Sequence, residues 1–417
     1  MTVNRLRLGQ GDFDIFAAAH ERFVTGKPGG RKLSLKFVDL TGVSMARRIL
    51  DDADFSGSIL ENCNMAGARL ERAVLFGCDL RGSDLTRACL KRADIRGACL
   101  QGADLSEADL TQADFREGVI AVPHDTRGLA SARHETRRGL ADGARFSGAT
   151  LDGSRLDGVS ACTADFTDCS MRGARLTGAN LKDADLSGAL LEGADVGGAN
   201  LSGARLCGAI LTGVAMDRAR LDRTDMTGSL REPDAATIDR AEVLYQMALD
   251  ANAWAESGGA LGGPAILDGE DLRPLGDRLK GLKLSALSAR GACLAGLDLR
   301  GAQLQGANFE KADLRGALLG NADLRGARFG EALMTKVDMS GADVSPLPLG
   351  PTRSVPSNLA GALMRYAGLV RTDLSRANLT AADLSGADIT GAILEGATLA
   401  EACLDRVTGI PRAAIAA

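Results

Sequence analysis

The sequence predicts an all-β solenoid, in which the chain winds into short-sided coils, with a few short helices that cap or link the coils. Two observations lead to this fold class. A large apolar residue recurs at every fifth position, a period that fits neither the two-residue alternation of a strand nor the 3.6-residue turn of a helix. Aromatic residues make up only 3% of the 417 residues, with one tryptophan, so the core has to be narrow and built from leucine and small residues.

The five-residue register continues over long tracts. Every fifth residue from Leu40 to Ile120 is large and apolar, and the residue two positions before it is mostly small. The tracts that carry this register are about 38–120, 144–228, 282–345 and 362–406. One large and one small inward residue in every five describe a coil that bends once per repeat and pairs its backbone with the next coil.

Three stretches show the repeat most clearly: "ADLSEADLTQADF" (103–115), "ADLRGALLGNADLRGARF" (312–329) and "ADLSGADITGAILEGA" (382–397). They resemble the A(D/N)LXX consensus of pentapeptide-repeat proteins. The resemblance covers roughly two-thirds of the chain and implies a right-handed quadrilateral β-helix with four repeats in each coil. Residues 20 positions apart should then stack.

Stacking at this spacing predicts ladders of side chains inside the coil. Phe146 and Phe166 are 20 residues apart, as are Phe309 and Phe329, so each pair should form two steps of an inner ladder. The core should consist of these rings and of inward leucines, for which Leu105 and Leu110 are typical.

Segments outside the register divide the chain into two predicted domains, 1–228 and 229–417. Each has a helix, a tract, a loop and a second tract. The helices are expected near the N-terminus and at about 235–254, where Pro233 and Asp234 are start signals. The loops are 121–143, across which the register slips by one residue, and the proline-rich 345–358. The helices are expected to cover apolar coil ends.

No residue pattern indicates an enzyme. The three histidines, His20, His124 and His134, have no metal-ligand spacing and no serine or cysteine nucleophile linked to them, so we expect surface residues. Aspartates such as Asp94 and Asp104 occupy the consensus position before the inward leucine, which favours a structural role. No catalytic residue, cofactor or metal is predicted.

Composition and charge bear on location and partners. The formal charge of −5 comes from 49 basic and 54 acidic residues, so no polyanion partner is implied and nucleic-acid binding is not favoured. No apolar run reaches membrane length, and nine scattered cysteines favour reduced thiols. These features predict a cytoplasmic protein without a membrane partner.

Two functions fit such a coil. The first is a rigid scaffold or adaptor that binds a protein partner of unknown identity, with a homodimer as a further option. The second is the DNA mimicry of the quinolone-resistance members of the family, which bind DNA gyrase. Mimicry needs continuous acidic faces, and the sequence instead places a basic belt around the middle coils. Its members are Arg81, Arg87, Lys91, Arg92 and Arg96.

Two sets of residues are candidate protein-binding sites. The first loop carries the basic residues Arg133, Arg137 and Arg138. Leu190 and Ile210 replace the usual polar residue before the inward leucine and should form an exposed apolar patch. Two covers for that patch remain open. One is the chain's own helix at about 235–254, through Ile238, Leu244 or Met247; the other is a second chain or a different protein.

Overall fold

The computed structural model describes residues 5–124 and 128–410. Contacts divide the chain into two compact units, Met1–Glu232 and Pro233–Ala417. In chain order the regular elements are α1 (Gln10–Val24), β1 (Gly118–His124), β2 (Gly128–Arg137), α2 (Ala235–Glu256), a 3-10 helix (Arg273–Leu275), β3 (Leu347–Pro348) and β4 (Ser354–Val355). The described helices include none with the length and apolar character needed to cross a membrane.

Most of both units is a coil of five-residue repeats, as the sequence predicts. Parallel bridges join outward residues 20 positions apart, for example Asp94 to Val74 and to Asp114. Four repeats therefore complete one coil. Between coils the inward residue donates its backbone N–H to the coil that follows, as Leu75 does to the Asp94 carbonyl at 2.8 Å. Backbone groups that would be unpaired in an isolated coil are satisfied by stacking.

Each repeat turns at the second residue after the inward one. Ala108 N–H donates to the Leu105 carbonyl at 3.1 Å, which closes the turn. The turn residue has a positive φ even where it is not glycine, as at Arg72 (57°) and Arg92 (55°). Glycine adopts this conformation without steric cost, which explains the frequent glycine at this position.

The core consists of the predicted inward residues. Leu105 and Leu110 are fully buried. The rings of Phe146 and Phe166 stack with centroids 4.7 Å apart and planes 6° apart. The corresponding values for Phe309 and Phe329 are 5.2 Å and 13°. The predicted ladders are confirmed, and these pairs gain ring stacking in addition to apolar burial.

The segment predicted as a loop at 121–143 is an antiparallel hairpin of β1 and β2, in which Val119 pairs with Thr136. The inclusion of Ile120 in the inward register is wrong, because the chain leaves the coil at Gly118. Ile120 instead packs against the outside of the coil and is only 4% exposed. A Cβ added to Gly77 would lie 2.5 Å from the Ile120 Cδ1. The coil resumes where Leu140 bridges Cys99.

The predicted loop at 345–358 also contains a small hairpin. Strands β3 and β4 pair there through Leu347 with Val355 and Pro348 with Ser354. Beyond it the coil continues, because Asn358 bridges Arg328.

The first cap is α1, which buries Phe13 and Ala17 in the core of the first unit. His20, on the same face, is fully buried, so its expected surface position is wrong. Its Nδ1 accepts the Leu33 N–H at 3.0 Å, and its Nε2 lies 2.9 Å from the Asp51 carbonyl oxygen. These contacts satisfy both ring nitrogens, so the histidine packs like a core residue.

The second helix, α2, belongs to the second unit and confirms the predicted helix. Its N-cap Asp234 accepts the Thr237 N–H at 2.8 Å, as the start signal implied. Leu244 and Ala248 are buried in the core of that unit. The inward face of α2 therefore covers apolar residues that the coil leaves open.

Candidate functional site

Short hydrogen bonds and ion pairs hold the outward side chains of the coils in place. An aspartate in the outward position, the one before the inward residue, accepts the backbone N–H two residues later; Ser106 N–H donates to Asp104 at 3.0 Å. Where that later residue is arginine, the side chain also forms a two-pronged ion pair. Arg96 thus donates from Nε (2.8 Å) and Nη2 (2.7 Å) to Asp94. The structural role expected of these aspartates is confirmed.

These ion pairs alter the charge that a face presents. Burial raises the pKa of Asp114, but hydrogen bonds from Arg116 outweigh it and the net pKa is lowered, so the carboxylate stays ionised beside its cation. The same aspartate–arginine arrangement recurs in both units. Its members are Asp79 with Arg81, Asp94 with Arg96, Asp114 with Arg116, Asp271 with Arg273, Asp298 with Arg300, Asp313 with Arg315 and Asp323 with Arg325.

The predicted basic belt is therefore mostly paired. Arg87 contacts Glu107 at 2.6 Å, and Lys91 contacts Asp109 at 3.0 Å. Arg92 donates to the side-chain oxygen of Gln112. Four of the five belt residues thus have an opposite charge one coil away or within the same repeat, whereas Arg92 contacts a neutral glutamine.

The predicted apolar patch is buried. Leu190 and Ile210 do occupy outward positions in one bridged ladder, but both have 0% exposure. The chain itself covers them, so the second of the two covers left open by the sequence, another chain or a different protein, is not needed. Of the residues expected to cover them, Leu244 lies in the core of the second unit and Ile238 is 51% exposed. Buried side chains of this kind offer no surface to a partner.

The same signal, an apolar residue in the outward position, also occurs in the second unit, where it marks an exposed patch. Leu333 and Leu363 also occupy outward positions in one ladder, and they are 37% and 40% exposed. These two leucines are not among the candidates predicted from the sequence. An outward leucine alone therefore does not indicate exposure, since the rest of the chain decides whether it is covered.

The majority of the large apolar side chains that are exposed lie in segments outside the coils. These are Leu6, Ile15, Phe16 and Phe23 around the first cap, Val119 in the hairpin, Ile238, Val243 and Leu261 in and after α2, and Leu349 in the second insert. Within the coils the corresponding residues are Ile266, Leu333, Leu363 and Ile393.

Of the candidate basic residues of the first insert, Arg137 and Arg138 lie at the base of the hairpin and Arg133 lies further along β2. Arg133 pairs along the backbone with Val122. Arg137 donates from Nη1 to the Gly77 carbonyl at 3.1 Å and contacts Glu135 at 3.5 Å. Arg138 follows β2 and is exposed. The hairpin thus places Arg137 against the coil and leaves Arg138 accessible to solvent.

A cleft of about 390 Å³ opens where the hairpin meets the coil. We call it the hairpin cleft; it is lined by Cys78, Asp79, Gly97, Cys99, Thr136, Arg137, Arg138 and Leu140. Burial raises the pKa of the Cys78 thiol to about 12, so this thiol stays protonated at neutral pH. The cleft has cationic and hydrogen-bonding groups, and its Cys78 thiol is not activated as a nucleophile.

Candidate metal ligands do not converge in residues 5–124 and 128–410: no group of three or more histidine, cysteine or acidic side chains is suitably placed. His134 is exposed on β2. The side chain of His124 lies outside the described residues. Cys63 and Cys169 occupy buried inward positions, whereas Cys403 is exposed. All nine cysteines are free thiols.

Comparison with known protein families gives one match. The model described as "Pentapeptide repeats (8 copies)" matches residues 49–118, 144–228, 283–345 and 357–408. These ranges contain most of the coil in both units. A search of curated proteins gives no match.

Three solved structures illustrate the similarity. HetL, a pentapeptide repeat protein involved in heterocyst differentiation regulation from the cyanobacterium Nostoc sp. strain PCC 7120, is 28% identical, with 54% of this chain and 98% of HetL covered and a TM-score of 0.26. QnrB1, a plasmid-mediated fluoroquinolone resistance protein, is 20% identical, with 48% and 89% covered and a TM-score of 0.25. Rfr23 from the cyanobacterium Cyanothece 51142 is 27% identical, with 33% and 87% covered and a TM-score of 0.16.

Proposed function

Because the chain belongs to the pentapeptide-repeat family, we propose that it is a non-enzymatic scaffold or adaptor that binds a protein partner. The coil, right-handed as the family resemblance implies, serves as a rigid support. The cap helices, the hairpin and the second insert supply the contacts. Free cysteines throughout the chain favour a reducing compartment, and we place the protein in the cytoplasm.

The observation that carries this proposal is the distribution of exposed apolar side chains. Ile15 is 71% exposed on α1, and Val119 is 58% exposed on β1. On the coil faces, by contrast, ion pairs and side-chain hydrogen bonds hold many outward residues, such as Asp94, Asp104 and Asp313. Exposed apolar side chains on a firmly held segment favour protein contacts, since a partner gains by burying them.

The pairing of charges on the coil weighs against DNA mimicry as the function. A mimic must present carboxylates that a DNA-binding enzyme can contact in place of phosphates. Here aspartates such as Asp94 and Asp313 are held in two-pronged pairs with Arg96 and Arg315. The cations are part of the same surface, so the face is mixed in charge.

Site-directed photo-crosslinking in the native host tests the scaffold proposal. The crosslinkable amino acid replaces Ile15 or Val119, and Lys182, exposed on the coil of the same unit, is the matched control position. We expect discrete protein adducts from the first two positions and not from the control. An adduct of twice the chain mass would identify a second copy as the partner. Absence of adducts, or equal adducts from all three positions, contradicts the proposal.

A DNA gyrase supercoiling assay separates the two functions. We expect the purified protein to leave supercoiling and its quinolone sensitivity unchanged at sub-micromolar concentration. Inhibition or protection in that range would favour mimicry over the scaffold.

A further inference from the structure

Resting on the proposed function, we propose that the hairpin cleft binds an acidic peptide segment of the partner. Arginine side chains from the N-terminal segment and from the hairpin base would hold its carboxylates. Four observations support this assignment.

The first observation is an arginine that has no partner among the described residues. Arg5 is partly buried, and its guanidinium has no hydrogen bond or ion pair with any described residue. A guanidinium has five N–H donors in a fixed plane, and leaving them unmet at a partly buried position is costly. An added anion would supply acceptors for these donors.

The second observation is a second cation close by. Burial, followed by the positive charge of Arg137, lowers the pKa of Arg5. The same guanidinium is within electrostatic range of Cys78 and Asp79, which line the cleft with Arg137. Exposed Arg138, also on the lining, has no hydrogen bond or ion pair within the described part of the chain. Two cations, Arg137 and Arg138, thus line the cleft, and Arg5 lies within electrostatic range of Arg137.

The third observation is that the nearby carboxylates are already engaged. Both oxygens of Asp79 accept from Arg81, at 2.8 Å from Nε and 2.6 Å from Nη2. Glu135 contacts Arg137. Asp39, whose charge also acts on Arg5, accepts from the Thr41 hydroxyl at 2.6 Å. None of the three carboxylates forms an ion pair with Arg5 in the described structure, so the cluster keeps capacity for further anions. Arginine favours carboxylates because its planar fork can donate two parallel hydrogen bonds.

The fourth observation distinguishes a peptide from a bare anion. Val119 is 58% exposed and lies directly opposite Thr136, a residue of the cleft, so both side chains lie on one face of the hairpin. Leu6, next to Arg5, is 68% exposed. Apolar surface beside cations suits a segment that alternates acidic and apolar side chains. The lining has no aromatic ring on which a nucleotide base could stack.

Fluorescence anisotropy with the full chain tests this proposal. The probe is a labelled peptide of about ten residues that alternates glutamate with leucine, and the control peptide carries glutamine in place of glutamate. We expect saturable binding of the acidic peptide only. In the double variant Arg5→Gln and Arg138→Gln binding should weaken about tenfold or more, a loss of about 1.4 kcal/mol. In Arg223→Gln, at an exposed arginine elsewhere on the unit, binding should change less than about twofold.

Each other outcome overturns the site. Equal weakening in the double variant and in Arg223→Gln would show general charge attraction. Displacement of the peptide by inorganic phosphate at the peptide's own molar concentration would indicate a free-anion site. Failure of the acidic peptide to bind at millimolar concentration removes the inference, while crosslinked adducts at Ile15 or Val119 would still support the scaffold. Thermal melting of each variant checks that the fold is retained.

Discussion

The backbone N–H of Leu33 donates a hydrogen bond of 3.0 Å to Nδ1 of His20, which ties the chain entering the first coil to the helix that caps it. The acceptor nitrogen must be unprotonated for this bond to form. Burial lowers the pKa of His20, which is consistent with a neutral ring. The cap therefore has a built-in dependence on acidity.

Acid should weaken the first cap. The unfolded chain binds a proton at His20 near the ordinary pKa of about 6.5, and the folded chain binds it only at lower pH. Stability from the neutral ring is thus complete above about pH 6.5 and is lost as pH falls from there through the folded-state value. The denaturant midpoint of the first unit should decrease when the pH is lowered from 8 to 5.5.

The variant His20→Leu checks the origin of this dependence. It leaves the Leu33 N–H without an acceptor, so we expect a loss of about 1–3 kcal/mol at pH 8. The difference between pH 8 and pH 5.5 should become smaller in the same variant. His134→Gln, at an exposed histidine, is the control. An undiminished pH effect in His20→Leu would assign it to other groups.

Charge inside the coil should be far more damaging than charge outside it. Leu105→Arg places a cation among fully buried leucines and alanines, so we expect a loss of several kcal/mol or failure to fold. Gln101→Arg, in the preceding repeat at an exposed position, should cost under about 0.5 kcal/mol. Denaturant midpoints compare the two variants. Similar midpoints would contradict the five-residue register.

The hairpin should stabilise the coil on which it packs. Ile120 is 4% exposed against the turns at Gly57 and Gly77, whereas its neighbour Val119 is 58% exposed. We expect Ile120→Ala to cost about 1–3 kcal/mol and Val119→Ala under about 0.5 kcal/mol. Thermal melting distinguishes them, and equal melting temperatures would show that the hairpin contributes nothing to the coil.

Two turn glycines separate backbone strain from contact with the hairpin. Gly77 and Gly102 have nearly equal φ, 61° and 65°. A Cβ at Gly77 would lie 2.5 Å from Ile120 Cδ1, while one at Gly102 meets nothing within 4 Å. Both alanine variants should lose about 1 kcal/mol from the left-handed backbone, and Gly77→Ala should lose more.

A double variant completes this comparison. In an Ile120→Ala background the excess cost of Gly77→Ala over Gly102→Ala should largely disappear, because the clashing methyl group is gone. An excess that persists in that background would locate the strain within the turn itself.

The repeat register and its ladders could be predicted because each depends on local sequence. A five-residue period places Phe146 and Phe166 inside the coil, and a coil of four repeats places one ring above the other. The hairpin could not be predicted in this way. Ile120 continues the apolar spacing although the chain has already left the coil, and spacing alone does not encode that departure.

Exposure at outward positions depends on distant parts of the chain, which the repeat pattern does not describe. Ser106 is 4% exposed although it follows an inward leucine, and Leu190 is fully buried although it precedes one. His20 was expected at the surface because a single histidine carries no pattern. The candidate cleft also depends on folding, since it joins Asp79 to Arg137 across a long stretch of sequence.

The spacing of 20 residues between bridged partners has a mechanical consequence. A coil pulled from one end would peel away turn by turn, and each released turn would lengthen the tether by roughly 66–72 Å at about 3.3–3.6 Å per residue. The hairpin touches the turns at Gly57, Gly77 and Gly97, which belong to three successive coils. Once the cap helix is released, stretching from the N-terminus should therefore meet added resistance there, because one hairpin holds three coils together.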